Sequence, residues 1–297
     1  MLRLTVFTPT YNRAYILPKL YESLCHQTCQ DFEWLIVDDG STDNTRELVE
    51  SWIKEGKVDI RYFFQNNGGK MRATNLAALE SAGELFVCID SDDQLIDGNV
   101  VKDSLEFWDD RERIIKKYAE SYTLCGMISR RRSPRISKIE DPGSPYIGTS
   151  HDITSCYKGE TTIFTITKIL RQYPYPEFEG ENFITDIYIY DAMSVKYKFL
   201  YHPYYSQFVD YLKDGYTMSY RRILFCNPKG HREYHVLRMR LGMKGFVKSM
   251  ICYISLSFFV RDHTMFSASP NRLLTILLYP FGCLKYVYDR YMLSREK

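Results

Sequence analysis

The sequence predicts an α/β fold: an open, mostly parallel sheet flanked by helices, with a helical C-terminal extension. Two observations carry the sheet. Short apolar runs rich in Val, Ile and Phe alternate with helical segments from Leu4 to Ile89, the order that right-handed parallel crossovers produce. Each run also ends in a polar cluster, Thr8–Arg13, Asp38–Asp43, Asn66–Lys70 and Asp90–Asp93. In a parallel sheet those ends share one edge, and ligands bind there. The extension rests on a third observation: two apolar runs flanked by basic residues, Met250–Val260 and Leu273–Leu284.

Leu4–Thr8 reads as a buried strand stopped by Pro9. Tyr15–Gln27 reads as a helix with Ile16, Leu17, Leu20 and Leu24 on one face. Glu33–Val37 is the second strand and runs into Asp38, Asp39 and Gly40. Ser41 or Thr42 is the expected cap of the next helix, with Asp43 in its first turn and Leu48, Val49, Trp52 and Ile53 on its apolar side. Ile60–Phe64 is the third strand, closed by the Asn66–Lys70 turn, and Met71–Ala82 is the third helix.

The stretch Leu85–Asp93 (LFVCIDSDD) organises the rest. Its apolar half reads as a strand buried on both faces. Asp90, Asp92 and Asp93 follow at once, and folding alone gives no reason to crowd like charges where they lose hydration. Mg²⁺ or Mn²⁺, which share oxygen ligands between carboxylates and substrate phosphates, would make the cluster favourable. Taken alone, D-x-D-D reads equally as an acidic turn capping the next helix.

Beyond about Ser104 the pattern thins. Arg111–Glu120 reads as a charged, exposed helix, and Ser129–Lys138 as a basic loop, either solvated or a flap over an anionic ligand. Thr161–Leu170 reads as a strand leading into a short helix. A turn-rich stretch carrying four acids, Tyr173–Asp186, precedes a helix over Asp186–Lys196.

In order, TPTYNR (Thr8–Arg13), SLCHQT (Ser23–Thr28), DFEWLIVDDGSTDNT (Asp31–Thr45), NGGK (Asn67–Lys70) and IDSDD (Ile89–Asp93) resemble glycosyltransferase family 2. The resemblance covers residues 1–105 strongly and about 157–215 more loosely, where FEGENFITD and YKFLY are similar to the bacterial exopolysaccharide and capsule branch. It implies a GT-A fold and inverting transfer of a sugar from a nucleotide-diphosphate donor, a UDP-sugar, to a glycan or lipid-linked acceptor. By the same resemblance Thr8, Pro9 and Tyr11 line the base pocket, with Asn12 in the same loop. Asp39, or Asp38, accepts a hydrogen bond from a uracil-type N–H. Asn67 and Lys70 lie near the base, ribose or diphosphate, Asp90 holds the ribose or the metal shell, and Asp92 with Asp93 ligates Mg²⁺ or Mn²⁺. Asp186 matches the acidic position of the acceptor-activating base. Many members read Glu-Asp there, whereas this chain reads Thr185-Asp186, and Glu181 is the alternative.

The resemblance divides the chain into a nucleotide-sugar-binding half (1–105), an acceptor-side half (106–225) and the extension (226–297). Composition fits a globular protein, with 45% hydrophobic and 26% charged residues, which excludes wholesale disorder. Eight cysteines without repeated short spacing read as reduced thiols of a cytoplasmic protein rather than a zinc site. The N-terminus shows no signal-peptide pattern. From Gly242 onward eight Lys/Arg stand against three Asp/Glu, so the extension is basic. Its apolar runs are each too short to span a bilayer. They fit either helices packed on the sheet or a partner subunit, or interfacial helices on the anionic inner-membrane surface. No nucleic-acid partner is expected.

Two rivals come from other classes. A phosphohydrolase would place D-x-D-x-[TV] after its first strand, whereas here the motif follows the fourth, with Gln94 at the last position. A non-catalytic nucleotide-sugar-binding subunit would keep the donor motifs and lack a competent base.

Overall fold

The computed structural model describes residues 2–118, 122–133, 146–157, 160–209 and 220–295. The chain divides into two compact units, residues 1–174 with 193–212, and residues 175–192 with 213–297.

In the first unit, β1 (Leu4–Thr10), β2 (Phe32–Asp38), β3 (Ile60–Phe64) and β4 (Leu85–Cys88) lie parallel in the order β3-β2-β1-β4. Helices α1 (Leu17–Cys25), α2 (Thr45–Glu55) and α3 (Lys70–Glu80) connect them. The chain steps outward from β1 to β3 and returns to β4 on the other side of β1, so the switch point lies between β1 and β4. β1, β2 and β4 are apolar because both faces are covered. Trp34 of β2, fully buried, stacks with Tyr21 of α1 and Trp52 of α2. Glu33 is the exception in β2, and three partners hold it: Thr5 Oγ1 at 2.6 Å, the Ala82 amide at 2.6 Å and Arg61 at 3.0 Å.

The strand does not stop at Pro9. β1 runs beside β2 as far as Thr10, whereas its pairing with β4 ends at Phe7–Cys88. Phe7 turns its carbonyl to the Ile89 amide, so Pro9, two residues on, turns its nitrogen to the side that β4 has already left. No ladder bond is lost there, and the two strands part.

β5 (Gln94–Leu95), β6 (Leu124–Arg132), β7 (Tyr146–Gly148), β8 (Thr161–Ile166) and β9 (Lys198–Phe208) extend the sheet in the order β4-β8-β6-β9-β5, with β7 on β9. β6 and β9 run parallel, and the other added pairings are antiparallel. Between these strands lie α4 (Val100–Asp109), α5 (Arg111–Ile115), α6 (Ser150–Tyr157) and α7 (Thr167–Leu170). The basic run is therefore no loop at its start: Ser129–Arg132 close strand β6, while residues 134–145 lie outside the described part. Ser129 is buried, and the Arg130 guanidinium lies over the rings of Tyr157, Tyr201 and Tyr205. The long stem pairs with the sheet while the charge rests on aromatic faces.

The second unit holds α8 (Ile187–Met193), α9 (Tyr220–Cys226), α10 (Pro228–Arg240), α11 (Phe246–Val260) and α12 (Arg272–Arg295). Its core gathers Val236, Met239, Met250, Tyr253, Ile254, Met265 and Leu278. α12 continues through Pro280, which lies on the exposed side, where a freed carbonyl meets water. Among the described residues no helix is long and apolar enough to cross a membrane.

Candidate active site

The carboxyl ends of β1, β2, β3 and β4 bring the four polar clusters together through direct bonds. Asn12, just past β1, has a positive φ of 54°, a conformation that Asn tolerates better than most residues. Its side-chain oxygen accepts from the amides of Thr42 (2.7 Å) and Asp43 (3.3 Å), and its own amide donates to Ser41 Oγ at 2.8 Å. Ser41 and Thr42 therefore do not cap α2 as expected. They serve the junction with the first loop. Asp43 Oδ1 instead accepts from the amide and hydroxyl of Thr45 at the helix start.

Asp38 and Asp39 are both buried at the end of β2. Asp38 accepts from the Ser41 amide and the Tyr62 hydroxyl. Asp39, 5% exposed, accepts from Gln65 Nε2 at 2.7 Å and from the amides of Gly68 and Gly69, each at 2.8 Å. A carboxylate offers about four lone-pair positions, so one remains on Asp39 for a further donor. Glycine is required on both sides of this contact. Gly69 has φ +88°, and a Cβ on Gly40, also at φ +88°, would stand 2.9 Å from the Asn67 amide nitrogen.

Lys70 opens α3 next to Gly69, and its ammonium meets Asp90 Oδ1 at 2.5 Å. This joins the third cluster to the fourth. Burial works to raise the Asp90 carboxyl, yet the charges of Lys70 and Arg131 and the bond from Lys70 hold it below its ordinary value. Burial and the Asp90 charge push the Asp92 carboxyl up, and they push Asp93, itself buried, up to about 8. Lys70 thus acts on all three acids. Two of the acids are left favouring a proton or another positive charge. Among the described residues no group of three or more His, Cys, Asp or Glu is arranged to hold a metal. Asp92 and Asp93 stand next to one another past the end of β4, the first half-buried and the second buried, and paired carboxylates are ligands of a type that Mg²⁺ or Mn²⁺ accepts.

Tyr11 is exposed at the rim, Asn67 is exposed and Pro9 half-buried. Thr8 is placed elsewhere: it is fully buried inside the sheet, its hydroxyl accepting from Trp34 Nε1 at 2.9 Å. Glu181 and Asp186 belong to the second unit. Both oxygens of Glu181 are engaged, accepting from the amides of Lys229 and Gly230 at 2.8 Å each, where α10 begins. Asp186 is exposed and precedes α8. Its backbone carbonyl accepts from the Tyr175 hydroxyl at 2.8 Å.

The sequence reading missed two cations. Arg131 of β6 acts on Asp90 and Asp93, and Arg13 acts on Asp92. Arg131 sat in the basic run assigned to a loop, and Arg13 closes the motif TPTYNR without having drawn a role. Gln207 of β9 adds a donor to the Cys88 carbonyl at 3.3 Å, steadying the end of β4.

The family described as "Glycosyl transferase family 2" matches residues 5–156. The chain is 33% identical over 112 residues to the poly(ribitol-phosphate) beta-N-acetylglucosaminyltransferase TarS of Staphylococcus aureus, a stretch covering 37% of this chain and 19% of that protein. It is 35% identical over 96 residues to a teichoic acid poly(glycerol phosphate) polymerase of Staphylococcus epidermidis, covering 32% of this chain and 13% of that protein. The matches therefore span under a fifth of those relatives. Among solved structures, S. aureus TarS 1-349 in complex with UDP-GlcNAc is similar at a TM-score of 0.64 and 16% identity, over 97% of this chain and 89% of that one. The mannosyltransferase PcManGT of Pyrobaculum calidifontis in complex with GDP-Man and Mn²⁺ is similar at a TM-score of 0.56 and 16% identity, over 98% and 83%. At these identities the likeness shows the fold.

Proposed function

Because the chain belongs to glycosyltransferase family 2, we propose that it transfers a sugar, with inversion, from a UDP-sugar to a glycan or lipid-linked acceptor in surface-polymer synthesis. The reading is carried by the unbroken run of contacts Asn12–Thr42, Asp39–Gly68/Gly69 and Lys70–Asp90, which ends beside Asp92 and Asp93 at the switch point. Relatives whose names specify polymer glycosylation, and neighbours holding UDP-GlcNAc or GDP-Man, support a nucleotide-sugar donor.

Pro9 and Tyr11 take the base, and the remaining acceptor position of Asp39 takes an imide N–H. Asn67 lies toward the ribose. Asp92 and Asp93 would hold Mg²⁺ or Mn²⁺, with Asp90 in the surrounding shell; bound there, the cation would stabilise charge gathering on the departing diphosphate. Lys70, Arg131 and Arg13 add fixed positive charge on the same side. Asp186 accepts the proton of the acceptor hydroxyl; it is preferred to Glu181, whose oxygens are engaged at α10.

Release of UDP across a panel of donors, with Mg²⁺ or Mn²⁺ supplied, tests the assignment. Asp92→Asn is expected to lower turnover at least about 100-fold, a loss of roughly 2.7 kcal/mol of transition-state stabilisation. Asp186→Asn is expected to abolish transfer while leaving UDP binding intact. Full activity of Asp186→Asn would remove the base assignment. UDP binding without turnover on any donor would leave a nucleotide-sugar-binding subunit.

A further inference from the structure

Helix α12 has two unlike sides. One is seated: Thr275, Leu278, Gly282 and Asp289 are buried, and Gly282 lies so close to α11 that a Cβ there would stand 2.2 Å from Ile254 Cγ2. The other is bare. Leu273, Leu277, Phe281, Leu284, Tyr288 and Tyr291 recur every three or four residues and are all exposed, Leu273 by 81%, so they form one continuous stripe along the helix. The two runs that looked alike in sequence are therefore different. α11 is a core helix, with Met250, Tyr253, Ile254 and Leu256 fully buried, and α12 keeps a face for something else.

Charge names the occupant. The only acid of α12, Asp289, is turned inward, where Ser255 and Lys285 donate to its carboxylate at 2.8–2.9 Å. The exposed charges of this helix are Arg272, Arg290 and Arg295, all positive. Among the described residues no exposed carboxylate of α12 would repel an anionic surface. Anionic headgroups would complement its exposed arginines, of which Arg295 continues the line of the stripe while Arg272 and Arg290 stand round the helix from it, with the leucines, Phe281 and the tyrosine rings turned to the lipid. With its reverse side packed on α11, the helix is suited to lie along a surface.

We infer that the exposed face of α12 docks the protein on the surface of an anionic bilayer. The inference does not depend on the donor or acceptor of the transfer reaction. The full chain is mixed with vesicles of phosphatidylcholine containing 30% phosphatidylglycerol, or of phosphatidylcholine alone, and bound protein is separated by flotation. Wild type is expected to float with the anionic vesicles, and to be released as NaCl rises from 0.1 to 0.5 M. Leu277→Glu with Leu284→Glu, both at exposed positions, is expected to weaken partitioning at least tenfold with UDP binding unchanged. Arg290→Gln with Arg295→Gln is expected to weaken it on anionic vesicles alone. No flotation of wild type, or equal flotation of the double glutamate variant, overturns the inference. So does a wild-type dimer in sedimentation that dissociates in that variant without any lipid binding, since a second copy then covers the face.

Discussion

Asn12 shows how one side chain fixes the shape of the loop that follows β1. It accepts from two amides of the neighbouring loop while holding a left-handed backbone. Asn12→Ala is expected to cost about 1–2 kcal/mol, combining a lost cap-like set of bonds with strain at positive φ, and to raise the UDP dissociation constant. Isothermal titration beside a urea unfolding curve separates the two. Glu33 does comparable work at the opposite end of the strands, 1% exposed and bonded to Thr5, Ala82 and Arg61. Glu33→Ala strands those donors, and a loss of about 3 kcal/mol in the urea-derived stability is expected. His202 of β9 supplies a pH dependence. It is 2% exposed, edge-on to Phe107 at 4.0 Å, and lines a small cavity with Asp97, Asp103, Tyr204 and Tyr205. Burial lowers its pKa to about 4 against a weaker opposing bond to the Asp103 backbone. The unfolded chain takes up a proton near pH 6.5 and the folded one does not. This group therefore costs nothing above about pH 6.5, and stability falls as the pH drops from there toward about 4, by up to about 1.4 kcal/mol per unit. Urea midpoints at pH 7 and pH 5 should diverge more in wild type than in His202→Gln.

What the sequence made legible follows from how each element signals its environment. β1, β2 and β4 are covered on both faces, so their apolar runs stand out, and α1 and α2 carry a clean one-sided period. β6 and β9 do not announce themselves. β6 ends in three arginines whose charges lie on aromatic rings or reach the sheet's edge, and β9 mixes Lys198, His202, Pro203 and Gln207 among its aromatics. β5 is two residues long, too short for any periodicity. Pro9 sits inside the strand it was expected to stop, and Pro280 inside α12, because each falls where its missing amide hydrogen costs little. The polar loops of the candidate site were legible for the opposite reason: clusters such as Asp90–Asp93 are unfavourable for folding alone. Arg131 escaped because its element did. The contact between α11 and α12 was also invisible, since a glycine in an apolar run shows only that something approaches closely. Gly282→Val is expected to force the helices apart at Ile254 and to cost about 2–3 kcal/mol, read as a lowered melting temperature.

The electrostatics of the switch point make a demand on any ligand that reaches it. Asp39 spends three acceptor positions on Gln65, Gly68 and Gly69, which holds the turn that precedes Lys70, and the Lys70 ammonium meets Asp90. Lys70 and Arg131 hold Asp90 below its ordinary value against burial, while burial and the resulting Asp90 charge leave Asp92 and Asp93 with raised carboxyls. A nucleoside diphosphate arriving alone would place its own negative charge beside theirs. Arriving with a divalent cation it would not. UDP with Mn²⁺ is therefore expected to stabilise the protein far more than UDP or Mn²⁺ alone. At a ligand concentration about 100 times its dissociation constant the gain is about 2.7 kcal/mol, or roughly 4 °C in melting temperature for a chain of this size. Asp92→Asn should keep the small shift given by UDP and lose the increment that Mn²⁺ adds. Differential scanning fluorimetry with each ligand singly and together reads this directly. An equal shift with and without Mn²⁺ would show that Lys70, Arg131 and Arg13 neutralise the diphosphate by themselves.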